Sequence, residues 1–243
     1  MLITQQIKHF RALNKWFKTP LGATVGLEFA RDLKKSNDFV RGEILVQLGS
    51  CGTNEWLNHL YFQHTWIASP FSLKDNKHLE CSLNQLPFPR NSVDCIIAPL
   101  TLESFPNSIT LLDEIDRVLK PMGHVVFLGI NPWSIWGAAV KCGFLNCYND
   151  RTIKMRSPIY LNRTFTQRGY RQCLLSNMCY FLPINKQLVI NKLLFLDEVG
   201  KMIWPLPSGV YCYIAQKYEL IHPSLIKQPI NQIIPAGLHP VIG

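Results

Sequence analysis

The stretch ILVQLGSCGTNEWL, residues 44–57, is the part of this 243-residue chain best suited to chemistry. An apolar run ends at Gly49, and Gly52 follows three residues on. A strand that ends in a glycine turn lets the backbone approach a ligand closely, because glycine has no Cβ to hold it away. The spacing here is G-x-x-G, which is neither the dinucleotide pattern G-x-G-x-x-G nor a Walker phosphate loop. No acidic residue stands where an amino acid or a ribose would need one. Two readings stay open at this point: a working nucleotide-type loop, or the remains of one.

Other reactive side chains are scattered. The eight cysteines (51, 81, 95, 142, 147, 173, 179 and 212) include no C-x-x-C pair, and several lie in apolar runs such as VDCIIA and VYCYIA. Metal ligation by Cys and His needs closely paired ligands, so no metal site is expected. These cysteines read as reduced, mostly buried thiols, and MLITQQIKHFRALNKWF at the start has no apolar core for export, which together suggest a cytoplasmic protein. Lys and Arg number 25 against 16 Asp and Glu, a net charge of +9 that favours anionic partners. Residues 148–171, YNDRTIKMRSPIYLNRTFTQRGYR, place Arg151, Lys154, Arg156, Arg163, Arg168 and Arg171 among Tyr148, Tyr160, Phe165 and Tyr170, with Asp150 the single acid. Cations interleaved with aromatics suit RNA or another phosphate-bearing acceptor. The plainer reading is a solvated loop and helix, since no RNA-binding motif is present.

The elements that must position these residues follow from hydrophobic period. Ile7, Phe10, Leu13 and Phe17 recur at helical spacing over 3–18, with Lys8, Arg11, Lys15 and Lys18 making the segment basic. An amphipathic helix packed on the domain is expected there, rather than one lying on a membrane, and a second helix over 19–35. Strands are predicted at 43–49, 64–70, 90–100, 124–130 and 209–218, and helices at 54–61, 108–123 and 186–203. HVVFLGINPWSIWGAAV contains Gly129, Asn131, Pro132 and Gly137, so it reads as a strand and loop rather than a membrane span, and a soluble chain is expected. Strands that are apolar throughout and alternate with helices indicate a parallel sheet covered on both faces. The organisation expected is N-terminal helices over 1–40, one α/β domain over 41–220, and an irregular proline-bearing tail over 221–243.

Residues 86–137, LPFPRNSVDCIIAPLTLESFPNSITLLDEIDRVLKPMGHVVFLGINPWSIWG, carry an ordered set of residues: Leu86, Pro87, Phe88, Asp94, Leu102, Glu103, Glu114, Arg117, Val118, Leu119, Pro121 and Gly123. In this order they resemble the second half of a bacterial class I S-adenosylmethionine-dependent methyltransferase, of the methyltransferase type 11 kind. The resemblance runs from about residue 15 to 140, with SGVYCYIAQK similar to the family's seventh strand. It implies a Rossmann-like, seven-stranded, mostly parallel sheet with helices on both faces, and S-adenosylmethionine as cofactor.

Carried over residue by residue, the resemblance places the cofactor against Gln47, Gly49, Ser50, Cys51 and Gly52, then Ala68 and Ser69 at the ribose, Ser82 and Leu83 at the adenine, and Pro99. The family's three acidic positions read Gln47, Ala68 and Ser82, and its second and third glycines read Cys51 and Thr53, so the motif is degenerate. Glu55, Asp75 and Glu80 are near enough in sequence to substitute, or are simply solvated acids. Asp94 is expected at the far end of the sheet. Methyl transfer works largely by in-line proximity, so no catalytic residue is assigned. In APLTLESF, Glu103 reads as a local structural partner, and His124 is expected to point away from the site. Trp133, Trp136 and WPLPSGVY (204–211) keep an apolar acceptor open. The function implied is methyl transfer from S-adenosylmethionine to an unidentified acceptor; the alternative is a catalytically degenerate protein using the fold as a binding module. Side chains filling the space above Gly49, Ala68 and Ser82 would favour the module, and an open cleft lined by a replacement carboxylate would favour the enzyme.

Overall fold

A computed structural model describes residues 3–72, 77–105, 108–148, 153–185, 190 and 207–218. The apolar run after Gly42 forms β1 (Gly42–Leu48), whose last four residues are buried. It pairs in parallel with β2 (Phe62–Ser69) on one side and β4 (Val93–Pro99) on the other. β3 (His78–Glu80) extends the sheet beyond β2, and β5 (Leu119–Ile130) extends it beyond β4, both in parallel. β7 (Val210–Lys217) lies antiparallel between β5 and β6 (Tyr170–Met178), giving the order β3-β2-β1-β4-β5-β7-β6. The order reverses between β1 and β4, so their carboxyl ends form the crevice where open α/β sheets bind ligands.

Five helices are described: α1 (Ile3–Trp16), α2 (Pro20–Lys35), α3 (Ile109–Val118), α4 (Ile135–Cys142) and α5 (Pro158–Gln167). α1 buries Gln6, His9, Phe10, Leu13 and Trp16 at the spacing of one helix face. Thr19 caps α2 by accepting the Gly22 N–H, and Pro20 supplies the fixed φ of a first turn. Trp56 wedges between the helices, its ring 5.5 Å from Phe17 and 5.3 Å from Phe29.

The residues that carried the resemblance are mainly braces. Glu114 accepts the Leu86 N–H at 2.6 Å, and Arg117 donates to Glu114 and to the carbonyls of Leu86 and Phe88. This ties the turn before β4 to α3. Asp94, at the amino end of β4, accepts the N–H groups of Glu43 and Ile44 and two hydrogen bonds from Lys120. It therefore pins three strands at the end remote from the crevice, as expected.

Two predicted helices are shorter than their patterns. Residues 54–61 form only a 3-10 turn over Glu55–His59, because Asn54 enters at φ +52 and its carboxamide is committed to the loop before it. The helix predicted over 108–123 ends at Val118, and Lys120, Pro121, Met122 and Gly123 belong to β5. Asn91 and Ser92 take the carbonyls of Arg117 and Val118, while Asp94 holds Lys120, so the chain straightens before the proline. The predicted helix at 186–203 lies outside the described residues except for the buried, helical Ile190. The tail 221–243 lies outside them altogether. Among the described residues no helix is long and apolar enough to cross a membrane, and no group of three or more His, Cys, Asp or Glu is placed to hold a metal.

Candidate cofactor site

The loop after β1 turns on Gly49 (φ +86), Gly52 (φ +64) and Asn54 (φ +52), all in the left-handed region. Left-handed geometry thus falls on the two glycines and an asparagine, the residue types that accept it most readily, and not on Cys51 or Thr53. The fully buried Gln47 organises the loop. Its amide nitrogen donates to Gly49 O (2.8 Å) and Asn54 Oδ1 (2.7 Å), and its Oε1 accepts the indole N–H of Trp56 (2.7 Å). Asn54 Oδ1 also takes the Cys51 N–H at 2.8 Å. Every polar atom of the Gln47 side chain is therefore engaged inside the protein.

The other residues expected at the cofactor gather at the same end of the sheet. Gly49 N–H donates to Ala68 O at the end of β2, and the Cys51 sulfur lies 3.9 Å from Pro99 O at the end of β4. Burial pushes the Cys51 thiol pKa well up. Ser50 and Ser69 are buried; Ser69 O accepts the Cys81 N–H, which leads the chain to the half-buried Ser82 and the buried Leu83 after β3. Of the nearby acids, Glu80 is exposed and Asp75 lies outside the described residues. Glu55 borders a cavity of about 320 Å³ together with Phe17, Gly22, Cys51, Thr53 and Trp56.

Above the loop lies α1, a contribution that sequence reasoning missed. A Cβ built on Gly49 would stand 2.5 Å from the Phe10 ring, and one on Gly52 would stand 3.0 Å from the Phe17 Cβ. Asn14, between them on the helix, accepts the Gly52 N–H at 2.8 Å. Phe10 also meets Phe105 edge-on at 6.4 Å, and the Arg11 guanidinium sits 5.6 Å over the ring of Phe71. The helical period of 3–18 signalled a buried face but not the surface it would meet. With α1 so placed, the Phe10 ring occupies the Cβ side of Gly49, and the Cβ and backbone of Phe17 occupy that of Gly52.

On the acceptor side, Thr101 ties the loop after β4 back to β1 by donating to Leu48 O at 3.0 Å. Glu103, in a 3-10 turn over Leu102–Ser104, is buried and accepts the Ile130 N–H at 3.3 Å. Burial pushes its pKa up to about 7, against the lowering influence of backbone N–H groups, Arg156 and the Tyr148 hydroxyl. That bond ties Oε1 to the end of β5, while Oε2 is buried without a hydrogen bond among the described residues. His124 lies six residues before the carboxyl end of β5 and packs on Phe39 at 5.9 Å, away from the crevice. Burial lowers its pKa.

The basic segment is partly spent internally. Arg168 pairs with Asp113 and Asp116 on α3, and Arg156 lies over the Tyr160 ring at 4.8 Å. Lys154, Arg163 and Arg171 are exposed, whereas Arg151 lies outside the described residues.

A methyltransferase domain family matches residues 64–127, from within β2 to within β5. No curated protein matches the chain by sequence. Among solved structures, an S-adenosylmethionine-dependent methyltransferase from Mesorhizobium loti superposes with a TM-score of 0.54 at 16% identity, over 77% of this chain and 96% of that one. One from Archaeoglobus fulgidus gives 0.55 at 14% identity, over 79% and 94%. The geranyl diphosphate C-methyltransferase of Streptomyces coelicolor, solved with S-adenosyl-L-homocysteine, gives 0.53 at 13% identity, over 78% of each chain. At these identities the likeness is one of fold: the chain has the class I methyltransferase fold, as its sequence suggested.

Proposed function

We propose that this chain, having the class I methyltransferase fold, transfers a methyl group from S-adenosylmethionine to an acceptor of unassigned chemistry. The observation that carries the reading is the methyltransferase domain match over 64–127, which runs from within β2 through β4 to within β5. Gln47, Gly49, Ser50, Cys51, Gly52, Ala68, Ser69, Ser82, Leu83 and Pro99 would border the cofactor. An RNA or phosphate-bearing acceptor would rest on the exposed Lys154, Arg163 and Arg171. Calorimetric titration with S-adenosylmethionine and S-adenosylhomocysteine tests the cofactor assignment. Saturable binding is expected, and no heat from either ligand at millimolar concentration would overturn it.

The alternative is a module that binds partners through the same fold without catalysis. The same titration separates the two, since the module has no need of the cofactor.

A further inference from the structure

We infer that α1 is an internal occupant of the cofactor site, and that α1 and the ligand hold the glycine loop in alternation. The inference rests on the methyltransferase reading and assigns that site a gate. Three contacts carry it. Phe10 lies against Gly49, Phe17 lies against Gly52, and Asn14 takes the Gly52 N–H. A backbone N–H in a left-handed glycine turn is the donor such a loop would offer to a ligand carboxylate. Here a carboxamide oxygen from the same chain already accepts it, with the Phe10 ring on Gly49 to one side and the Cβ of Phe17 on Gly52 to the other. The helix thus supplies both halves of what a bound amino acid moiety would bring, an acceptor atom and apolar contact.

α1 also has somewhere to go. Its outer side borders a groove of about 860 Å³ lined by Ile7, Ala12 and Trp16 and by the cations Lys8, Arg11 and Lys15. Its described sequence contains no acidic residue, and Arg11 and Lys15 stand four apart, a like-charge pair that weakens a helix slightly. Withdrawal of α1 frees the Gly52 N–H and uncovers the face of Phe105 that Phe10 now meets. A ligand that needs the open form binds with an apparent affinity reduced by the fraction of molecules that are open. Weakening the closed contacts therefore raises ligand affinity, opposite to the usual effect of mutating a binding site.

The test titrates wild type, Phe10→Ala and Asn14→Ala with S-adenosylhomocysteine by calorimetry. In parallel, iodoacetamide labelling of Cys51 and Cys95 is followed by peptide mass spectrometry without ligand. Cys51 lies in the covered loop, whereas Cys95 is buried in the middle of the sheet and reports global unfolding. The expected result is tighter binding by about tenfold for Phe10→Ala and roughly fivefold for Asn14→Ala. Cys51 should label faster than Cys95 in wild type, and faster still in both variants. Asn14→Ala removes one hydrogen bond at a half-buried position, so it keeps the test valid if Phe10→Ala does not fold. Equal affinity in all three proteins, with Cys51 labelling no faster than Cys95, overturns the gate and leaves the cofactor assignment standing. No binding by any of them, with Cys51 labelling accelerated in the variants, overturns the cofactor assignment and the competition with it.

Discussion

Gln47 occupies the position at which the family resemblance expects an acid, and its amide nitrogen faces two acceptors, Gly49 O and Asn54 Oδ1. Gln47→Glu would therefore set a carboxylate against two oxygens in a fully buried site. We expect a loss of about 2–4 kcal/mol at pH 7, read by urea unfolding, with part of it recovered at pH 5 as the carboxyl protonates. Restoring the family's acid alone should not restore a family-like loop. Glu103 gives a prediction of opposite sense. Its folded pKa of about 7 is raised above the unfolded value. The associated stability is present in full below pH ~4.3, the unfolded value, and is lost as pH rises through 7. Glu103→Gln should flatten stability between pH 5 and 8, and at pH 8 should exceed wild type by up to ~3 kcal/mol. A variant less stable than wild type at pH 8 would show that the carboxylate is compensated. At this scale Gln47 was legible only through the resemblance, as the residue at one of the family's acidic positions. Asn14 was not, because a half-buried asparagine on a helix does not announce a partner 38 residues away.

Among elements, the amino end of the sheet depends on one carboxylate. Burial alone would raise the pKa of Asp94, but hydrogen bonds from the Ile44 N–H and Lys120 outweigh it and leave a net lowering. Its contribution is then present above the unfolded pKa of about 3.9 and is lost as pH falls through the lower folded value. Asp94→Ala should cost about 2–3 kcal/mol at neutral pH and much less near pH 2–3, which chemical denaturation at the two pH values would show. Five of the seven strands were legible as apolar runs, and α1, α2 and the start of α3 as periodic ones, whereas β3 (HLE) and β6 (YRQCLLSNM) carry no such run. The 54–61 helix failed because periodicity cannot register a left-handed Asn54 at its entrance. Pro121 and Gly123 read as a helix stop, which sets the end of α3 too late. The true stop came earlier, where Asn91 and Ser92 claimed the last carbonyls.

At the scale of the whole molecule, periodicity established a covered parallel sheet but not its strand order, because a parallel apolar strand reads the same wherever it sits. The count of seven strands was legible only through the resemblance carried by 86–137 and the likeness of SGVYCYIAQK to a seventh strand, and the order is seen in the structure. That strand completes the sheet on both sides, pairing with β5 over His124–Ile130 and with β6 over Tyr170–Met178. A chain ending after Pro207 should therefore be insoluble or lack a cooperative unfolding transition, measured by expression and circular dichroism. A soluble, cooperatively folding fragment would show that β5 and β6 can stand without β7.

The insertion of β7 also sets a timetable for biosynthesis. β5 leaves the ribosome with Val125, Phe127 and Leu128 on a strand whose outer partner is not yet made. At roughly 5–20 residues per second, the segment 131–209 takes several seconds to follow. During that interval the nascent sheet presents an apolar edge able to pair with any other extended chain. The last described strand is the one that ends this exposure, so this molecule's hazard in the cell is concentrated in its unfinished form.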